Sequence, residues 1–114
     1  MMSPESILEQ YFGHSAFRAL QKDIVENVLN GNDTIALLPT GGGKSVCFQV
    51  PALMLDGLCI VVTPLIALMK DQVENLKHKN IQAIALYSGM SHREIEFELE
   101  NEVRVITRRR YSFW

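Results

Sequence analysis

The chain has 114 residues, enough for one small domain or a piece of a larger one. With 47% apolar and 21% charged residues it has an ordinary globular composition, and a segment of this size buries only a marginal core by itself. The net charge of −2 points to no nucleic-acid partner on average. It also hides a local asymmetry, because Glu94, Glu96, Glu98, Glu100 and Glu102 precede Arg108, Arg109 and Arg110. No apolar stretch reaches transmembrane length and no signal-peptide pattern opens the chain, so a cytoplasmic location is expected. Cys47 and Cys59 each sit in an apolar run without metal-ligand spacing, which suits reduced, buried thiols.

In chain order, Ser3-Pro4 is a helix start, with a capping hydroxyl followed by a proline where no N–H is needed. Gly13 suits the left-handed position that ends that helix. Phe17, Leu20, Ile24, Val25, Val28 and Leu29 fall on one face at helical spacing, and Asn30-Gly31-Asn32 stops the second helix. Residues 34–38 then form a short apolar run expected to be a buried strand. A loop spans 39–43, and a helix from Lys44 should kink or end at Pro51. Further strands are expected at 58–62, 83–86 and 103–106. Between them lie a helix carrying Leu65, Leu68, Met69, Gln72, Val73 and Leu76 and one that Ser91 and Glu94 open as a capping box, with Ile95 and Leu99 inward. Alternating strands and helices predict an α/β fold: a parallel sheet with helices on both faces, in three layers.

The strongest chemical signal is Leu38-Pro39-Thr40-Gly41-Gly42-Gly43-Lys44-Ser45, between an expected strand and an expected helix. Glycines let backbone N–H groups approach an anion closely, and the helix start adds partial positive charge. Lys44 would reach the β- and γ-phosphates of ATP, and the Ser45 hydroxyl would meet Mg²⁺. The generic phosphate-loop pattern has glycine where this chain has Leu38; the form seen here is that of superfamily 2 helicases.

Four segments in register resemble the RecQ family of DNA helicases. They are Tyr11-Phe12-Gly13-His14 with Phe17-Arg18-Ala19-Leu20-Gln21, the phosphate loop, Cys47-Phe48-Gln49-Val50-Pro51-Ala52-Leu53, and the run from Val62 to Val73. The resemblance covers roughly residues 5–100. It implies an incomplete P-loop NTPase (RecA-like) first motor domain over 1–106, acting in the full protein on single-stranded or partly duplex DNA in the 3′ to 5′ direction. It also implies adenine recognition by Gln21, with Arg18 over the base and His14 where the family often carries a stacking aromatic. Thr63, Pro64 and Leu65, with Lys70 beyond them, would meet the DNA backbone. DEAD-box RNA helicases usually carry Pro-Thr-Arg-Glu-Leu-Ala where this chain has Val62-Thr63-Pro64-Leu65-Ile66-Ala67-Leu68.

The chain departs from the family pattern after Ile106, where a Ser-Pro-Glu-Arg-like segment is expected and the basic-aromatic tail 107–114 stands instead. That tail is expected to be an aberrant or disordered end without a role. No Asp-Glu-x-His or Asp-Glu-x-Asp occurs, so an ATP-binding fragment that is inactive alone is expected. The alternative is a stand-alone, non-catalytic module that binds nucleotide or nucleic acid.

Overall fold

A computed structural model of the chain describes residues 2–38, 43–102 and 111–113. The chain divides into two compact units, Met1–Asp56 and Gly57–Trp114, each taken here by itself.

The first unit is built of three helices. α1 (Pro4–Phe12) begins as expected: the Ser3 hydroxyl accepts the Ser6 N–H at 3.2 Å, and Pro4 fills a position that needs no donor. Gly13 ends it in the left-handed region at φ 74°, its N–H donating to the Glu9 carbonyl at 3.2 Å. α2 (Gln21–Leu29) starts four residues later than the apolar spacing predicts. Leu20 sits at φ 68°, a left-handed conformation that costs a side chain about 1–2 kcal/mol, and it is 57% exposed. The buried face of α2 therefore begins at Gln21 and continues to Val25, whereas Leu20 points outside. Periodicity placed Leu20 inside because it cannot register a change of backbone region at the helix start.

α3 (Lys44–Met54) passes through Pro51 instead of ending there. A proline removes one ladder donor, and here the loss falls in the last turn, where the ring is fully buried and the Leu55 N–H still closes on the Pro51 carbonyl at 2.9 Å. Ile7, Leu8, Val25 and Val50 form the core between the three helices, with Phe17, Leu29, Val46 and Leu53 packed around it. Outside this core, Lys22 reaches from α2 to Glu5 of α1 at 3.0 Å. The hydrogen bond from Lys22 holds the Glu5 carboxyl below its ordinary range, and the same bond raises the lysine.

The expected strand at 34–38 is not formed. Ile35 and Leu37 are 93% and 87% exposed, and the segment is tied to α2 by polar bonds instead. Asn27 Nδ2 donates to Thr34 Oγ1 at 2.8 Å, and Thr34 Oγ1 donates to the Asn32 carbonyl at 3.0 Å. A buried parallel strand exists only when neighbouring strands pair both edges and helices cover both faces. The described residues of this unit supply neither.

In the second unit β1 (Leu58–Ile60) is shorter than the 58–62 expected, and Val62 is 83% exposed. α4 (Ile66–His78) follows, with Met69, Gln72, Val73 and Leu76 half-buried as one face; Leu65 and Leu68 are exposed, against expectation. Residues 83–86, expected as a strand, run without a ladder. α5 (His92–Glu102) opens as its sequence predicts: Ser91 Oγ accepts the Glu94 N–H and donates to the Glu94 carboxylate, both at 3.1 Å. Ile95 is half-buried, while Leu99 is 40% exposed and so does not point inward as expected.

β2 (Tyr111–Phe113), in the stretch expected to be an unpacked tail, pairs in parallel with β1, with Leu58 opposite Tyr111 and Ile60 opposite Phe113. The strand expected at 103–106 and the arginines at 108–110 lie outside the described residues. Among the described residues the sheet has two strands and not the broad parallel layer that the alternation predicts. No helix among them is long and apolar enough to cross a membrane.

Candidate nucleotide and nucleic-acid sites

The N-terminus of α3 is the geometric centre of the first site. Gly43 is its N-cap, at φ 74°, and among the described residues no side chain caps the helix. The first N–H groups of a helix lack internal partners and carry its positive end, so an uncapped start is suited to an anion. Lys44, the first residue of the helix, is exposed, and Ser45 beside it is half-buried. Of the loop residues expected to cradle phosphate, Gly43, Lys44 and Ser45 are therefore brought together here; Thr40, Gly41 and Gly42 lie outside the described residues.

Gln21 approaches the same helix start from α2. Its side chain is 4% exposed and its amide is engaged at both ends. Oε1 accepts the Arg18 N–H at 2.8 Å, and Nε2 donates to the Gly43 carbonyl at 3.1 Å. A buried amide needs such partners, since leaving one unpaired costs about 1–3 kcal/mol. His14 and Arg18 are exposed on the segment between α1 and α2. The structure thus joins the expected adenine element to the end of the phosphate loop through Gln21, a link that sequence spacing did not reveal. Two residues 22 positions apart carry no local signal of a shared hydrogen bond. Cys47 lies one turn into α3, its Sγ 3.9 Å from the Gly43 carbonyl, and burial pushes its thiol above the ordinary value.

In the second unit, Thr63, Pro64 and Leu65 lead into α4. Thr63 Oγ1 accepts the Leu65 N–H at 3.4 Å, while Pro64 and Leu65 are exposed. Leu65 is the N-cap of α4, and no side chain among the described residues caps it either. Lys70 is exposed one turn further on, its Nζ 4.7 Å from the centroid of the Tyr87 ring. That cation–π contact was not anticipated, because Tyr87 lies just past the strand expected at 83–86, with nothing in the sequence to direct it toward α4. Tyr87 belongs to a groove of about 590 Å³ lined also by Val73, Met90, Arg93 and Phe97.

A helix that starts on Lys-Ser after a glycine-rich stretch, with no side-chain cap among the described residues, is the arrangement expected of a P-loop NTPase site. Comparison with known proteins agrees: a DEAD/DEAH box helicase family model matches residues 18–111. The chain belongs to the DEAD/DEAH box helicase family, and its likeness within that family is to the RecQ-type helicases. It is 48% identical over 102 residues to a probable ATP-dependent DNA helicase RecS of Bacillus subtilis (strain 168), covering 89% of this chain and 21% of that protein. An ATP-dependent DNA helicase RecQ of Synechocystis sp. is 46% identical over 92 residues, covering 81% of this chain and 19% of that one. An ATP-dependent helicase, wrn-1, of Caenorhabditis elegans is 52% identical over 79 residues, covering 69% and 8% respectively. The chain therefore spans about a fifth of the length of the first two relatives. The P-loop NTPase fold follows from the family match.

Proposed function

We propose that this chain carries the ATP-binding part of a RecQ-like DNA helicase motor, which in the complete protein couples ATP hydrolysis to 3′ to 5′ movement along single-stranded or partly duplex DNA. The observation that carries the reading is the start of α3, which no side chain among the described residues caps, with Gly43 in the left-handed region and Lys44-Ser45 directly after it, in a chain whose relatives are named as ATP-dependent helicases. Lys44 places its ammonium on the β- and γ-phosphates, and N–H groups at the helix start complete the anion site with Thr40, Gly41 and Gly42. The Ser45 hydroxyl is a hard oxygen donor of the kind Mg²⁺ takes alongside phosphate oxygens and water, so the residue present fits the ion. Bound with the triphosphate, Mg²⁺ supplies neutralisation of the charge on the phosphates.

Gln21, Arg18 and His14 form the adenine side of the site in this reading. The exposed Arg18 and His14 offer planar groups to a base, and the Gln21 amide lies between them and the phosphate loop. Thr63, Pro64 and Leu65 offer a hydroxyl and helix-start N–H groups to DNA phosphates, and Lys70 adds charge from the next turn. The fold that goes with this function is the three-layer parallel sheet of P-loop NTPases, to which β1 and β2 belong in this reading.

The reading is tested by titrating the chain with a fluorescent ATP analogue in the presence of Mg²⁺. Replacing Lys44 with Ala removes a charged hydrogen-bond donor worth about 1.5–3 kcal/mol, so affinity should fall by roughly 10- to 150-fold. Equal affinity of the parent and the K44A chain would end the proposal.

A further inference from the structure

The groove in the second unit is built from two helices and the segment between them. Lys70, Val73 and Lys77 line it from one face of α4, at the i, i+3 and i+7 spacing of a helix, and Phe97 lines it from α5. Tyr87 and Met90 line it from the intervening segment. Its volume of about 590 Å³ lies within the range of clefts that take small ligands, about 300–1,000 Å³. The charges around it cancel. Lys70, Lys77 and Arg93 are matched by Glu74, Glu94 and Glu98, so the groove has no net charge with which to hold a phosphate inside. What it offers is apolar and planar: the Phe97 ring, 63% exposed, the half-buried Tyr87 ring and the half-buried Met90 thioether. A ring left in water forgoes its burial energy, which a stacked partner would recover.

We propose that this groove takes an unstacked base of a single DNA strand whose backbone meets the start of α4. The proposal rests on the DNA-binding reading above and deepens it. Lys70 provides the continuity. It lines the groove, and it is also the lysine one turn beyond Thr63, Pro64 and Leu65 that meets the DNA backbone in that reading. Its Nζ lies 4.7 Å from the centroid of the Tyr87 ring, which keeps the ammonium at the groove while leaving it exposed. A phosphate on Lys70 therefore brings the attached base to the aromatic lining. Phe97 is the stacking plane, since every base presents a π-face, and the carboxylates of Glu94 and Glu98 keep phosphates out of the interior. The division of labour is between a charged contact at the helix start and an uncharged one in the groove.

The test compares ligands with and without bases. Binding of a short oligo-dT, and of an abasic oligomer of the same length, is measured on the parent chain and on F97A over a range of salt concentrations. The exposure of Phe97 makes F97A a mild change for folding, and the Val73 and Ile95 amide resonances report on the two helices. A base-binding groove predicts that F97A weakens oligo-dT about 5- to 150-fold, the worth of one stacked base. The abasic oligomer should bind parent and F97A alike, and the salt dependence should not change, because no phosphate contact is lost. Equal loss for both oligomers, or no loss for either, would overturn the proposal. Self-association of the parent chain that F97A abolishes would give the groove to a second copy, and would overturn it too. If the parent chain binds neither oligomer, the DNA-binding reading fails, and titration with thymidine alone decides the groove: shifts of the Phe97 and Tyr87 ring resonances uphold a base site there, and their absence refutes it.

Discussion

Cys47 illustrates how the neighbourhood of a residue decides its chemistry. It is buried within one turn of the start of α3, a location whose positive end would ordinarily favour a thiolate. Desolvation outweighs that tendency and raises the thiol, with a backbone hydrogen bond as the smaller, opposing influence. Cys47 is therefore expected to stay protonated at pH 8 and to resist alkylation, while the half-buried Cys59 reacts first. Mass spectrometry after a timed exposure to iodoacetamide checks this, and labelling of Cys47 as fast as Cys59 would contradict it. Leu20 shows the same dependence on setting: its left-handed backbone and outward side chain let Gln21, and not Leu20, begin the buried face of α2.

At the scale of elements, the first unit holds together because three amphipathic helices share a few fully enclosed side chains. Leu8 is 1% exposed and Val25 and Val50 are completely enclosed, so the core has little room to collapse around a deletion. Replacing Leu8 with Ala should destabilise this unit by about 2–5 kcal/mol, through lost transfer energy and the cavity left behind. Urea unfolding followed by circular dichroism measures this, and a cost below about 1 kcal/mol would mean that α1 is not held by the core described. The capping residues at Ser3, Gly13 and Ser91 behave as their sequences predict because each acts within four residues of itself.

For the whole molecule, catalytic competence depends on groups that must converge from different parts of a motor. Phosphoryl transfer needs a bound, charge-neutralised triphosphate together with a positioned water and further positive charge at the transferring group. This sequence has the Lys-Ser helix start but no Asp-Glu-x-His or Asp-Glu-x-Asp. The chain by itself is expected to bind nucleotide without steady-state hydrolysis, with or without single-stranded DNA. Phosphate release that single-stranded DNA stimulates and K44A abolishes would prove this expectation wrong.

The sequence by itself determined the local and the chemical: the caps, most of the helices, the Gly43-Lys44-Ser45 helix start and the helicase family, since each rests on neighbouring residues or on a fixed order of motifs. Helix boundaries failed where a backbone region changed at Leu20 or where burial let Pro51 stay inside α3. The strands at 34–38 and 83–86 were illegible in another sense: their apolar runs state only that they suit burial, whereas a ladder requires partner strands. Only the tertiary structure decided that Gln21 is bound to Gly43 and Lys70 to Tyr87, and that Leu58–Ile60 pairs with Tyr111–Phe113. Such contacts join residues distant in sequence, and no spacing rule encodes where the chain turns back on itself.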